Sequence, residues 1–97
     1  MNYNELLSSA PVLLVEFYAP WCPHCQAMMP VVEKVRAAID GRAAIAQIDI
    51  DKEESVSDDA GVKSVPTFIL YKDGVERWRH TGQVDAQVLV DKVNEMI

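Results

Sequence analysis

The stretch VEFYAPWCPHCQAMMP, residues 15–30, contains both cysteines of the chain. Only Pro23 and His24 separate Cys22 from Cys25, so in a helix the two thiols would lie about one turn apart. Two cysteines at this spacing suit three kinds of site: a structural disulfide, half of a metal site or a redox centre. The sequence on either side of the pair has to distinguish among them.

The residues around the pair have the pattern of a strand that leads into a helix. PVLLVEFYA, residues 11–19, is a nearly continuous apolar run with the β-branched and aromatic content of a strand buried on both faces. From about Pro23 to Ile39, apolar residues recur at helical spacing, and a proline in the first turn removes no hydrogen bond. Cys22 is therefore predicted to begin a helix, with Cys25 one turn further in.

The middle of the chain continues the alternation of strands and helices. AAIAQIDID, residues 43–51, predicts a second buried strand, and Asp51 or Ser55 is expected to cap a short helix that ends near Gly61. A third strand, PTFILYK from Pro66, is joined by a KDG turn to VERWRHT, which predicts a β-hairpin.

The two ends of the chain have helical patterns. NYNELLSS predicts a short leading helix, and VDAQVLVDKVNEMI predicts an amphipathic terminal helix. The element order predicts one α/β domain over residues 1–97, with a mixed sheet of about four strands and helices on both faces. The expected apolar face of the terminal helix contains Val84, Val88, Leu89, Val93 and Ile97.

Composition and charge exclude several classes of partner. The formal net charge of -6 disfavours a nucleic-acid partner and an anionic membrane surface, because both would be repelled. No apolar run is long enough to span a bilayer, and the first ten residues lack the basic and apolar regions of a signal peptide. We therefore expect a cytoplasmic protein, with a periplasmic or secreted location as the alternative if a signal segment has been trimmed. We also expect a monomer.

The strand-to-helix context favours a redox pair. Unpaired N–H groups and the helix dipole at Cys22 favour a thiolate there, while Cys25 is expected to be more covered. An exposed sulfur would attack a substrate disulfide and the second would resolve the mixed disulfide. His24 would add a positive charge or a donor near the Cys22 sulfur, or would be a solvated turn histidine without a chemical role.

The other two interpretations of the cysteine pair stay open. A structural disulfide across so short a loop would constrain little of the unfolded chain. A metal site would have only Cys22, Cys25 and His24 as candidate ligands, with no second pair to complete a tetrahedron.

Glu16 is an acidic residue inside an otherwise apolar run. Burying it unpaired would be unfavourable and would raise its pKa. A raised pKa makes Glu16 a candidate acceptor for the Cys25 thiol proton during resolution. The alternative is a solvated position at the strand end.

VEFYAPWCPHC, then SVPTFILYKDG, then Gly82 before a terminal helix resemble the thioredoxin family, over nearly the whole chain from about Pro11. The resemblance implies the thioredoxin fold and thiol–disulfide exchange, with Cys22 as the nucleophile and Cys25 as the resolving cysteine. It also implies that no cofactor is bound beyond the redox-active Cys22–Cys25 disulfide. Glu16 stands where the family has a buried acidic residue.

The same resemblance implies a substrate-binding rim. Pro66 matches the family's cis-proline facing the cysteines, and Val65 would offer its backbone to an extended substrate segment. Packing of Trp21 in the core and a plain turn role for Gly82 are the alternatives at those two positions. The rim would comprise Trp21, Pro23, Val65, Pro66 and Gly82.

Three departures from the family bear on the function. The pair between the cysteines is Pro-His, as in the more oxidising relatives, where thioredoxins have Gly-Pro. Gln47 stands where thioredoxins usually place a lysine beside the buried acid, which should favour neutral Glu16. The chain also begins too late to supply the family's usual first strand, which is therefore expected to be short or missing.

The leading functional hypothesis is a protein-disulfide reductase that acts on disulfide-containing proteins. The resemblance then implies recharging by a thioredoxin reductase that carries flavin and uses NADPH. The alternative is a more oxidising oxidase or isomerase, because of Pro23 and His24. A non-catalytic binding module, or one that holds a soft metal, is the remote third hypothesis.

Overall fold

Four helices and four strands alternate in the computed structural model, which describes residues 1–97. The α/β order agrees with the sequence prediction, including the short leading helix and the closing hairpin. The elements are α1 Tyr3–Leu7, β1 Val12–Tyr18, α2 Pro23–Ala38, β2 Ala44–Asp49, α3 Glu54–Asp59, β3 Thr67–Lys72, β4 Val75–Thr81 and α4 Ala86–Glu95.

The four strands form one mixed sheet in the order β2-β1-β3-β4. β1 pairs with β2 in parallel and with β3 antiparallel, and β3 and β4 form the predicted hairpin. The residues before β1 form α1, and residues 1–97 contribute four strands to the sheet. In this register Glu16 lies between Gln47 on β2 and Phe68 on β3.

Alternate residues of β1 contribute to two apolar layers. Val12 and Leu14 pack with residues of α2 and α4 on one face, while Leu13, Val15 and Phe17 pack with α1 and α3 on the other. Helices therefore cover both faces, and β1 is buried on both, as its unbroken apolar pattern predicted. Because side chains alternate along a strand, Glu16 shares the face of β1 that is covered by α2.

The KDG turn has the geometry that a two-residue hairpin requires. Asp73 and Gly74 have φ of 51° and 80°. Positive φ at both central residues gives a turn whose twist matches that of the strands, and aspartate followed by glycine tolerates it best. The prediction of a hairpin here is confirmed.

The capping prediction for α3 was wrong. Its N-cap is Glu53, which makes no side-chain capping bond, and Ser55 lies inside the helix. The Asp51 carboxylate instead accepts a hydrogen bond from the indole of Trp21. Asp51 is therefore engaged at the end of the molecule that carries the cysteines.

The apolar face predicted for α4 was too broad. Leu89 and Val93 are fully buried, whereas Val88 and Ile97 are exposed. Ile97 lies beyond the helix end at Glu95, and residues four apart form the line that meets the core. No helix of the molecule is long and apolar enough to cross a membrane.

Candidate functional site

Cys22 is the N-cap residue of α2. It has extended backbone angles, and its sulfur accepts a hydrogen bond from the backbone N–H of Cys25 at 3.2 Å. Pro23 occupies the first helical position, where the missing N–H has no partner to lose. Both cysteines are free thiols. The predicted strand–turn–helix setting of the pair is confirmed.

The expected difference in exposure between the two cysteines was wrong. Cys22 and Cys25 are each only 4% exposed, because both pack with Ala19 in one small apolar cluster. They differ in their partners instead. The Cys22 thiol donates to the Val65 carbonyl oxygen at 3.7 Å. Burial, reinforced by a hydrogen bond with Cys22, raises the pKa of Cys25 to about 12.

Val65 and Pro66 directly precede β3, and the Val65 carbonyl oxygen faces the Cys22 thiol. The peptide bond between them is cis, as the resemblance implied. The Pro66 carbonyl oxygen accepts from the N–H of Gly82 at 2.8 Å, so the two predicted rim residues are neighbours. Gly82 has φ of 101°, a conformation that side chains rarely adopt. Its glycine identity therefore has a conformational reason as well as a place beside the site.

Only part of the predicted substrate-binding rim is exposed to solvent. Trp21 is 64% exposed, so core packing is excluded for it, and Pro23 is exposed beside it. Val65 and Gly82 are partly exposed, whereas Pro66 is buried and offers little surface of its own. The Trp21 indole Nε1 donates to Asp51 Oδ2 at 2.7 Å, which fixes one edge of the exposed ring.

His24 is exposed and hydrogen-bonds away from the sulfurs. Its Nδ1 lies 2.7 Å from Nε2 of Gln83, and no hydrogen bond joins it to Cys22 or Cys25. Sequence reasoning missed Gln83, although its position directly after Gly82 was a usable signal. The contact links the first turn of α2 to the segment that precedes α4.

Glu16 is 2% exposed and lies in the interior of β1, so the solvated strand-end alternative is wrong. Gln47 stands opposite it in the parallel pairing, and its Nε2 donates to Glu16 Oε1 at 2.9 Å. Burial raises the pKa of Glu16, while the bond from Gln47 and the positive charge of Arg36 partly offset that rise. Arg36 is a second residue that sequence reasoning missed.

Glu16 and Cys25 line the same cleft. Its volume is about 520 Å³, and Gln47 and Met29 contribute to its wall. Neither Cys22 nor Val65 lines this cleft. No cluster of three or more histidine, cysteine or acidic side chains is close enough to hold a metal ion.

The thioredoxin family model matches residues 1–95, and the chain therefore belongs to the thioredoxin family. A mutant thioredoxin from Halobacterium salinarum NRC-1 superposes with a TM-score of 0.87 at 35% identity, over 97% of this chain and 81% of that one. The mixed α/β thioredoxin fold is thus established.

Curated relatives of two kinds match. Protein disulfide-isomerase like 2-2 of Arabidopsis thaliana is 43% identical over 84 residues, which is 87% of this chain and 19% of that protein. The chloroplastic thioredoxin Y2 of the same plant is 36% identical over 98 residues, 99% of this chain and 58% of that protein. The chain thus spans about a fifth of the isomerase relative and somewhat over half of the thioredoxin.

Proposed function

We propose that this domain is a thiol–disulfide oxidoreductase in which Cys22 is the nucleophile and Cys25 the resolving cysteine. The observation that carries the proposal is the position of Cys22 at the N-cap of α2, with its sulfur hydrogen-bonded to the Cys25 N–H. A helix N-terminus stabilises a thiolate through unpaired N–H groups and the helix dipole. Membership of the thioredoxin family supports the same chemistry.

The reaction proceeds in two displacements. The Cys22 thiolate attacks one sulfur of a substrate disulfide, which breaks the S–S bond and releases one substrate thiolate. Cys25 then loses its proton and attacks the Cys22 sulfur, which releases the second substrate thiolate. The substrate gains two electrons, and the domain is left with a Cys22–Cys25 disulfide.

The substrates we propose are protein disulfides presented on extended segments. Val65 is partly exposed and its carbonyl oxygen lies beside the Cys22 thiol, where the backbone can pair with such a segment. Trp21 and Pro23 add exposed apolar surface, and the Asp51 bond limits the freedom of the indole. Pro66 acts in this arrangement by placing Val65 and by binding Gly82.

Glu16 is the proposed acceptor for the Cys25 proton. Burial raises the pKa of Cys25 to about 12, so the thiol needs a base before it can attack near neutral pH. Glu16 shares a cleft with Cys25, and burial raises the pKa of its carboxyl group toward the range useful for a general base. Gln47 donates a hydrogen bond to Glu16, but because it is neutral it places no positive charge beside the carboxyl group.

We propose the reductive direction, with recharging by a flavin-containing, NADPH-dependent thioredoxin reductase. The oxidase or isomerase alternative is favoured by Pro23 and His24 and by the similarity to a disulfide-isomerase relative. A cytoplasmic location and a monomeric state stay predictions, as does the absence of any bound cofactor.

The test is reduction of insulin disulfides together with the equilibrium potential of the dithiol against glutathione. Exchange that is lost in Cys22→Ser supports the proposal, whereas a binding module would keep its function in that variant. A potential well below that of the glutathione pool supports the reductant, and a potential near or above it supports the oxidase or isomerase.

A further inference from the structure

We infer that Arg36, acting through the Gln47 carboxamide, is a positioning residue for Glu16 and supplies the positive charge that this proton acceptor otherwise lacks. The inference rests on the function proposed above and deepens it. It concerns a partly exposed residue of α2 that lies about three turns beyond Cys25 and hydrogen-bonds to neither sulfur.

The three side chains form a continuous hydrogen-bonded relay. Arg36 Nη2 donates to Gln47 Oε1 at 3.0 Å, and Gln47 Nε2 donates to Glu16 Oε1 at 2.9 Å. The first bond fixes which way the amide faces, because a guanidinium can only donate. The amide must therefore present its NH₂ group to Glu16, where it supports the ionised carboxylate.

The position of Arg36 also polarises the Gln47 amide toward Glu16. A cation on the Oε1 side of an amide strengthens donation from its NH₂ side, since hydrogen bonds in a chain reinforce one another. The charge of Arg36 lowers the pKa of Glu16, against the larger effect of burial. A solvated cation thereby acts on a carboxylate that is almost fully enclosed.

The surroundings of Glu16 leave Arg36 as its one cationic influence. β2 presents the neutral Gln47, β3 presents Phe68, and α2 contributes the Cys25 thiol along with Arg36. Arg36 is itself paired with Glu33 at 3.6 Å on the exposed side of the helix. The Glu33 side chain is exposed to solvent, so its negative charge offsets the positive charge of Arg36 only in part.

A purely mechanical role for Arg36 is the competing explanation. Its Nη1 also donates to the Ile45 carbonyl oxygen at 3.4 Å, so it fastens α2 to the edge strand β2. Arg42 provides a matched control, because it makes comparable links to the Ala38 carbonyl and to Asn94 but has no path to Glu16. Arg42→Gln removes one surface charge and these two contacts.

The experiment follows resolution directly, by mixing reduced protein in excess with dithiobisnitrobenzoate in a stopped-flow instrument. Attack by Cys22 releases one coloured thiolate, and attack by Cys25 on the mixed disulfide releases the second. The first phase is an internal control for Cys22, and the pH dependence of the second phase reports deprotonation of Cys25.

Arg36→Gln is expected to slow the second phase by about three- to tenfold at pH 7 and to move its acid limb to higher pH, because loss of a nearby cation favours neutral Glu16. The first phase should not change, and Arg42→Gln should change neither phase. Adding Gln47→Lys to Arg36→Gln places a cation beside Glu16 and should restore the second phase. The midpoint of the Glu16 carboxyl titration, followed by carbon NMR, should move to higher pH in the Arg36→Gln variant without Gln47→Lys.

The relay is overturned if Arg36→Gln leaves the second phase and the Glu16 titration unchanged. It is also overturned if Arg42→Gln slows the second phase equally, or if Gln47→Lys fails to restore it, since both results mark a mechanical role. Release of a single thiolate by the wild type would instead refute the dithiol function. The NMR titration of Glu16 decides the relay in that case as well. Arg36→Met, which also removes the charge, serves if Arg36→Gln does not fold.

Discussion

The two cysteines lie one turn apart on the same helix and are equally buried, yet the structure gives them different surroundings. Cys22 contacts the backbone on both sides, through the Cys25 N–H and the Val65 carbonyl oxygen. Cys25 faces a cleft that it shares with Glu16. Under the proposed function, partner groups rather than exposure distinguish the attacking thiol from the resolving one.

The largest effects are expected when each cysteine is replaced in turn, which tests the difference between the two sulfurs directly. Cys22→Ser is expected to lower disulfide reduction by more than about 10³-fold, because no other group in the site can form the first mixed disulfide. Cys25→Ser should retain the first attack and accumulate a mixed disulfide that mass spectrometry detects as an adduct. Equal adduct formation by both variants would show that the assignment of the two roles is wrong.

Glu16→Gln removes the proposed proton acceptor, which lies on the Cys25 side of the site. We expect the resolving step to slow by about tenfold to a hundredfold at pH 7, which is the usual scale for losing a general base. The first attack, measured as the initial thiolate release, should be little affected. A uniform decrease in both steps would indicate that Glu16 acts on the fold rather than on Cys25.

The same substitution should stabilise the folded protein at high pH. Burial raises the pKa of Glu16 in the folded state, so the folded protein holds this proton more tightly than the unfolded chain does. The associated stability is present below the ordinary value of 4.5 and is lost as the pH rises through the raised pKa. Glu16→Gln should therefore have a higher free energy of unfolding than the wild type at pH 8 and a similar one near pH 4, measured in denaturant titrations.

Substitution of Trp21 tests substrate contact on the Cys22 side of the site. Trp21→Ala should raise the KM for a protein disulfide by about three- to tenfold, since it deletes exposed apolar contact area near the nucleophile. Asp51→Asn should give a smaller rise, because the indole stays but its orientation is less restricted. The resolving rate should be unchanged in both variants, and a slower second phase would contradict the division between the two sides.

His24 is expected to give the smallest effect. His24→Ala should lower the potential of the dithiol by about 10–30 mV if the ring stabilises the Cys22 thiolate, where about 30 mV corresponds to 1.4 kcal/mol. The ring bonds to Gln83 and to neither sulfur, so any such action is through space. An unchanged potential would assign His24 to the contact with Gln83 alone.

Much of the site followed from local sequence patterns. The strand before the cysteines, the helix that begins at them and the KDG hairpin each depend on neighbouring residues, and each was predicted. The pairing of Glu16 with Gln47 needed the parallel register between β1 and β2, which the resemblance supplied and periodicity alone did not. Arg36 and Gln83 carried no signal of comparable strength, because their roles depend on which side chains meet across elements.

The sequence by itself determined the element order, the mixed α/β class and the place of the dithiol at a helix start. These depend on apolar spacing, turn chemistry and a proline in the first helical turn, all of which act over a few residues. Only the tertiary structure decided that Cys22 and Cys25 are equally buried, that Glu16 is enclosed and that Arg36 reaches it through Gln47. Burial and long-range hydrogen bonds are set by packing between elements that are distant in the chain, and no local pattern encodes them.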